Sequence, residues 1–345
     1  MEENTRENKM GTMPIGRLLL TMALPMALSM LVQALYNVVD SAFVAKISDV
    51  NQDALNAVSL AFPVQNITIG IATGTAVGVN ALLSRALGER DADMVNRSAL
   101  NGVFLAGLGM LLSALFGIFC AELFMRSQTS NEAVIAYGTA YIRIITIASF
   151  GIFGEIIFER LLQSTGRTIY TLVTQGTGAV LNIIFDPILI FGLFGLPRME
   201  VAGAAVATII SQALSAAWVL RFLCSEKSGI RLKKAGMKLD FSLIGQIMAL
   251  GVSPFVMSAT ESAITIVMNH GLQVYGGDLY VGSMTILQSV LQLVFVPISG
   301  FTNGVQPIIS YNFGAGKFDR VKMTIKRMIS ITFLAAFVYV VFAML

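Results

Sequence analysis

The chain has 345 residues, 55% of them hydrophobic and only 12% charged, with a formal net charge of +3, one histidine and two cysteines. Soluble domains carry roughly a quarter charged residues, so this composition, with its mean hydropathy of +0.76, belongs in a bilayer. It excludes a disordered regulator, a nucleic-acid-binding module and a disulfide scaffold, since Cys120 and Cys224 lie far apart in apolar sequence and His270 alone cannot build a zinc site.

Residues 1–14 read as a polar tail. Nine apolar runs follow, at roughly 15–44, 54–84, 95–121, 133–163, 168–195, 200–223, 241–270, 280–311 and 321–345. A crossing of the hydrocarbon core takes about 20 apolar residues in a helix and only ~10 in a barrel strand. Backbone groups in lipid must be satisfied internally, so runs of this length predict helices and an all-α polytopic membrane protein.

Orientation follows from the basic residues. With the N-terminus in the cytoplasm, 19 of the 23 Lys and Arg fall on the inner side, and only Lys46, Arg126, Arg143 and Arg198 remain outside. That bias predicts a cytoplasmic N-terminus.

The second and eighth runs carry an internal repeat. At an offset of 226, Gly74, Gly78, Ser84, Gly88, Asp93 and Val95 meet Gly300, Gly304, Ser310, Gly314, Asp319 and Val321, and Asn80 meets Gln306. The first and seventh runs align at an offset of 229, with Pro25 on Pro254 and Asp40 on Asn269. Both copies leave toward the cytoplasm, so the repeat is parallel, with its axis along the membrane normal. Two six-helix units need twelve spans. The expected organisation is therefore a cytoplasmic tail over 1–14, a six-helix N-lobe over 15–223, a cytoplasmic linker over 224–240, and the first three helices of a C-lobe over 241–345, the remainder being missing.

Five acidic residues fall inside the runs: Asp40, Glu155, Glu159, Asp186 and Glu261. A charged side chain at bilayer depth costs at least about 2.5 kcal/mol, which makes each a candidate for function. Gln33, Asn37 and Asp40 share one face of the first helix, and Asn182 and Asp186 are one turn apart on the fifth. Pro187 frees the carbonyl of Ile183. Carboxylates, amide oxygens and a spare carbonyl suit a hard cation such as Na+, whereas a proton needs only one buried carboxylate. Counting 1.5 Å per residue puts Asp40, Asp186 and Thr208 at one depth, in the outer half of the lobe. Glu155 reads as a lumen-facing acid, Glu159 as a partner of Arg160 or Arg167, and Glu261 as an acid on the central cavity off the repeat position of Asp40.

Leu24, Pro25, Tyr36, Asn37 and Asp40, then L162-Q-S-T-G-R-T168, N182-I-I-F-D-P187 and G203-A-A-V-A-T208, resemble the motifs of the multidrug and toxic compound extrusion (MATE) transporters, closest in style to the bacterial DinF-like and Staphylococcus-type branches. The resemblance implies a two-lobe fold and a non-enzymatic antiporter in the bacterial cytoplasmic membrane, a monomer that exports small amphipathic organic cations by alternating access on a Na+ or H+ gradient. It carries the cation-coupling site onto Asp40, Asn182, Asp186 and Thr208 and leaves Gln33, Tyr36, Asn37, Glu155 and Glu261 for substrate or secondary coupling. No organic cofactor, no metal beyond Na+ at Asp40, Asn182 and Asp186, and no nucleic-acid partner is expected. A rival reading, a flippase for lipid-linked sugars or peptidoglycan precursors, needs a cavity rich in Arg and Lys, where the spans offer mainly Arg143 and Arg160. An intramembrane enzyme ranks third, since no HExxH or Gly-x-Ser-x-Gly pattern is present.

Overall fold

A computed structural model describes residues 8–47, 53–225 and 239–344. Six of the basic residues counted above, Arg6, Lys227, Arg231, Lys233, Lys234 and Lys238, and most of the expected linker lie outside them. The described residues are helical, with no strand among them. In chain order they form α1 (Lys9–Thr12), α2 (Ile15–Ala45), α3 (Asp53–Glu89), α4 (Ala92–Phe119), α5 (Ala121–Gln128), α6 (Glu132–Ile147), α7 (Phe150–Ser164), α8 (Thr168–Phe191), α9 (Glu200–Leu223), α10 (Phe241–Gly314) and α11 (Phe318–Met344). Among the described residues six helices are long and apolar enough to cross a membrane, or seven if α6 and α7 count as one broken span. Phe119, Leu123, Phe241 and Phe333 stand exposed on the outside, as they must where lipid is the solvent.

The fourth run, expected as one helix over 133–163, is bent by 44° between α6 and α7. Beside the break Thr146 turns its hydroxyl back onto the Ile142 carbonyl at 2.6 Å, which removes its competition with solvent but loosens the ladder, and Ala148 leaves the helical region at ψ 27°. The α8–α9 hairpin turns on Gly192 at φ 72°, a left-handed cap that glycine takes without strain. A Cβ on Gly203 would sit 2.6 Å from the backbone of Leu189, so only glycine lets the two helices close to this distance.

The segment α10 covers 74 residues, where two runs are expected at 241–270 and 280–311. Gly251 lies against Gly74 of α3, and Tyr311 lies against Gly88 of the same helix. These two contacts are about 21 Å apart along α3, whereas a straight helix would need about 90 Å between residues 251 and 311. The chain therefore doubles back within α10 and passes α3 twice, as two spans do.

The repeat becomes physical at that contact. A Cβ on Gly88 would strike the carbonyl oxygen of Tyr311, and one on Gly314 would strike that of Arg85. Residues 88 and 314, like 85 and 311, are separated by the repeat offset, so the pair is pseudo-twofold. Gly74 opposes Gly251 and Phe255, and its repeat mate Gly300 opposes Met26 and Ala27. Residues 15–223 thus meet residues 241–314 closely at the end of the bundle that holds Arg85, Thr165 and Ala315. We call it the base.

Candidate functional site

Helices α2 and α8 both run away from the base, side by side. The Thr168 hydroxyl donates to the Thr21 carbonyl at 3.3 Å near their lower ends. From Thr21 to Asp40 and from Thr168 to Asp186 is nearly the same number of residues, so parallel packing carries both acids to one height about 28 Å up. There the Asp40 and Asp186 side chains lie within hydrogen-bonding reach of each other. Asp186 is wholly buried, and Asp40 is partly so.

Helix α9 returns antiparallel through the Gly192 hairpin and closes the site from the other side. Asn182 Nδ2 donates to Asp186 Oδ1 at 3.3 Å and to Thr208 Oγ1 at 3.3 Å. One amide thereby ties α8 to itself and to α9. Its donors are spent, and Oδ1 of Asn182 is buried without a hydrogen-bond partner, as are Oδ1 of Asp40 and Oδ2 of Asp186. Three orphan oxygens thus belong to three neighbouring residues, and ion pairs form elsewhere, at Arg85, Arg97, Arg126, Arg143 and Arg198. Buried acceptors with neither donor nor counter-charge are costly, and a bound proton or a hard cation removes the cost. Among the described residues no group of three His, Cys, Asp or Glu forms a metal cluster, so the donor set suits an oxygen-loving monovalent ion rather than a transition metal.

Asn182 and Thr208 also line a small cleft, together with Tyr36, Glu155, Gln175 and Gln212. Tyr36 hydrogen-bonds with Gln33, and its hydroxyl lies near Glu155, Asp40 and Asp186. Two of the expected accessory residues, Tyr36 and Glu155, therefore border the cleft, and Gln33 holds Tyr36. Asn37 on α2 and Glu261 on α10 are exposed. Glu159 is buried, but its hydrogen bond comes from Gln175 Nε2 at 3.0 Å and not from Arg160, whose Nη1 is buried without a partner.

Two groups escaped the sequence. Tyr141 of α6 lies near Asp40, Asp186 and Tyr36 and donates to Gln65 of α3 at 3.1 Å. Nothing in its neighbourhood marks it, because the bend that aims α6 inward is tertiary. Gln175 could have been found: Gln175, Gly178, Asn182 and Asp186 follow one another at three- and four-residue steps along a single face of α8.

The chain matches the MatE protein family over residues 25–188 and 254–345. The two stretches open on Pro25 and Pro254, the prolines that the internal repeat pairs. It is 27% identical over 321 residues to the multidrug export protein MepA of Staphylococcus aureus, covering 92% of this chain and 68% of that protein. It is 28% identical over 339 residues to a FAD transporter of Shewanella oneidensis, covering 94% and 70%. In structure it is similar to the outward-facing conformation of a multidrug resistance MATE family transporter of the MOP superfamily, with a TM-score of 0.91 at 22% identity over 99% of this chain and 75% of the other.

Proposed function

The chain belongs to the MatE family of membrane transporters, and from that premise we propose that it exports small amphipathic organic cations across the bacterial cytoplasmic membrane, driven by Na+ or H+ that binds between Asp40 and Asp186. One observation carries the reading. Two carboxyl groups are held together in the apolar interior of one lobe, each with an oxygen that has no donor.

Two like charges at this distance repel, and in low dielectric the repulsion is strong. An empty pair therefore favours any rearrangement that separates or hydrates it, and an ion or proton between the acids favours the arrangement in which they touch. A cationic substrate bound near Glu155 and Tyr36 would compete for the same negative charge. Substrate and driving ion then exclude one another, and each selects a different arrangement of the lobes, as antiport requires. Asn182 and Thr208 position Asp186, and the flexible methionines of the chain suit varied apolar substrates. The family's transport chemistry needs no organic cofactor.

The N-lobe over 15–223 and the C-lobe from 241 are the moving bodies in this proposal. The glycine contacts close the base, and with that end taken as cytoplasmic the arrangement corresponds to the outward-facing state of this proposal. The flippase reading finds little support among the described residues, because Arg143 pairs with Glu122 at 3.6 Å and Arg160 is buried beside Glu159, so neither is free to hold a pyrophosphate.

The test is export of ethidium from vesicles holding the protein, under an imposed Na+ gradient and then under a pH gradient. Asp186→Asn, which keeps size and hydrogen-bonding capacity but removes the charge, is expected to abolish export under both gradients without loss of protein. Export at the parent rate would overturn the proposal, and whichever gradient drives the parent names the ion.

A further inference from the structure

We propose that residues 8–13 form a strap that clasps the two lobes together on the cytoplasmic face and must release before they part there; the proposal rests on the two-lobe reading given above. The strap is joined to the N-lobe through Pro14 at the start of α2, and Asn8 Nδ2 also donates to the Thr165 carbonyl of that lobe at 3.2 Å. Gly166, at φ 86°, tucks beneath it, where an added Cβ would lie 3.2 Å from Lys9 Cε.

Thr21 Oγ1 of the same lobe donates to Met13 Sδ at 3.8 Å, and the strap's carbonyls at Met10, Gly11 and Met13 are held by the other lobe. Asn312 Nδ2 and Arg320 Nη2 both donate to the Met10 carbonyl, at 2.9 and 3.0 Å. Arg320 Nη2 reaches the Met13 carbonyl at 2.7 Å, and Lys317 Nζ reaches that of Gly11 at 3.0 Å. Arg320 Nε is meanwhile held by Asn312 Oδ1 at 2.9 Å, which fixes the guanidinium toward the strap. A single helical turn such as α1 cannot satisfy its own carbonyls, and here charged donors from the opposite lobe satisfy them. The Met10 side chain is fully buried and packs in one apolar cluster with Leu18, Met22, Val305 and Ile308, residues drawn from both lobes.

The repeat reproduces the arrangement at the other lead-in segment. Asp240, which opens α10, is bound through its carboxylate to Arg97 of α4, and its backbone N–H donates to Asn101 at 3.1 Å. Each lobe's entering chain is thus gripped by a helix of its neighbour. Release has help built in: Lys9 faces Arg167, and burial together with that like charge pulls the Lys9 ammonium below the ordinary lysine range.

The experiment places spin labels at Asp93→Cys on α4 and Lys322→Cys on α11, both exposed at the base, in the full chain with Cys120→Ser and Cys224→Ser. Distances between the labels are measured by double electron–electron resonance in liposomes, with and without Na+ and at two pH values. The comparison is among the parent, Arg320→Gln, and the chain shortened by residues 1–13. The shortened chain leaves the C-lobe untouched and so guards against a folding defect in Arg320→Gln. Loss of the clasp is expected to raise the long-distance population about tenfold in both variants. If the parent's labels separate on a change of ion while the variants give the same populations as the parent, the strap is overturned and the two-lobe reading stands. If the labels separate in no variant and under no condition, both fall, whatever Asp186→Asn does to export.

Discussion

Asn182 is the residue on which the acid pair depends without itself carrying charge. Its amide is divided between Asp186 and Thr208, at the same 3.3 Å to each, so it orients the carboxyl group and anchors α9 with one NH2. A hydrogen bond to a charged group is worth about 1.5–3 kcal/mol, or roughly a ten- to hundredfold change in an equilibrium, and bonds as long as these belong at the lower end. Asn182→Ala is therefore expected to raise the concentration of driving ion needed for half-maximal export about tenfold, with a smaller effect on the maximal rate. Thr208→Val, which removes only an acceptor for that amide, is expected to cost about two- to threefold. Titrating the ion outside vesicles measures both, and half-saturation unchanged in Asn182→Ala would mean that the amide is packing and nothing more.

At the scale of elements, helix-to-helix distance is set by glycines, and the structure separates those that matter from those that do not. At Gly88 and Gly314 a methyl group would run into the carbonyls of Tyr311 and Arg85, whereas at Gly107 and Gly176 it would meet nothing within 4 Å. Gly88→Ala and Gly314→Ala should each push the lobes apart at the base, by similar amounts because the two sites are repeat-related. Gly107→Ala and Gly176→Ala should leave thermal stability in detergent unchanged or slightly raised, since alanine is the better helix former by about 1 kcal/mol. Thiol labelling of a cysteine placed at Gln306, which faces the Val77 carbonyl across the lobe contact, should speed up in the first pair and not in the second; equal rates in all four would remove the glycines from the gate. These glycines were legible in the sequence as the spine of a repeat, but their partners were not, because a spacing of 226 names equivalent positions and not which surface each one meets. The helices themselves were legible from apolar length. The 44° break between α6 and α7 was not, since the bend is tertiary and no proline marks its place in the run. Asp40 and Asp186 could be set at one depth by counting residues, but that they face each other depends on α2 and α8 being parallel neighbours, which the Thr21–Thr168 contact shows and no local pattern encodes.

For the whole molecule, charge decides which way the closed base points. Arg17, Arg85, Arg90, Arg97, Arg167, Lys317 and Arg320 gather at that end, while Lys46, Arg126, Arg143 and Arg198 mark the other. In the proposed orientation, which the positive-inside rule favours, the base is cytoplasmic and the acid pair, some 28 Å above it, lies toward the external side. On the proposed mechanism a driving ion would reach Asp40 and Asp186 from outside while the base is shut, which is the direction an inwardly directed gradient requires. The chain carries its own probe of this orientation. Cys224 is exposed at the end of α9, at the base, and Ser127 is exposed at the opposite end on α5. In intact cells a membrane-impermeant maleimide should label Ser127→Cys, made in a background with Cys120→Ser and Cys224→Ser, and should leave a protein holding only Cys224 unlabelled until the membrane is permeabilised. The reverse pattern would invert the molecule. The ion would then have to enter the acid pair from the cytoplasm, and export driven by an inward gradient could not follow from this site.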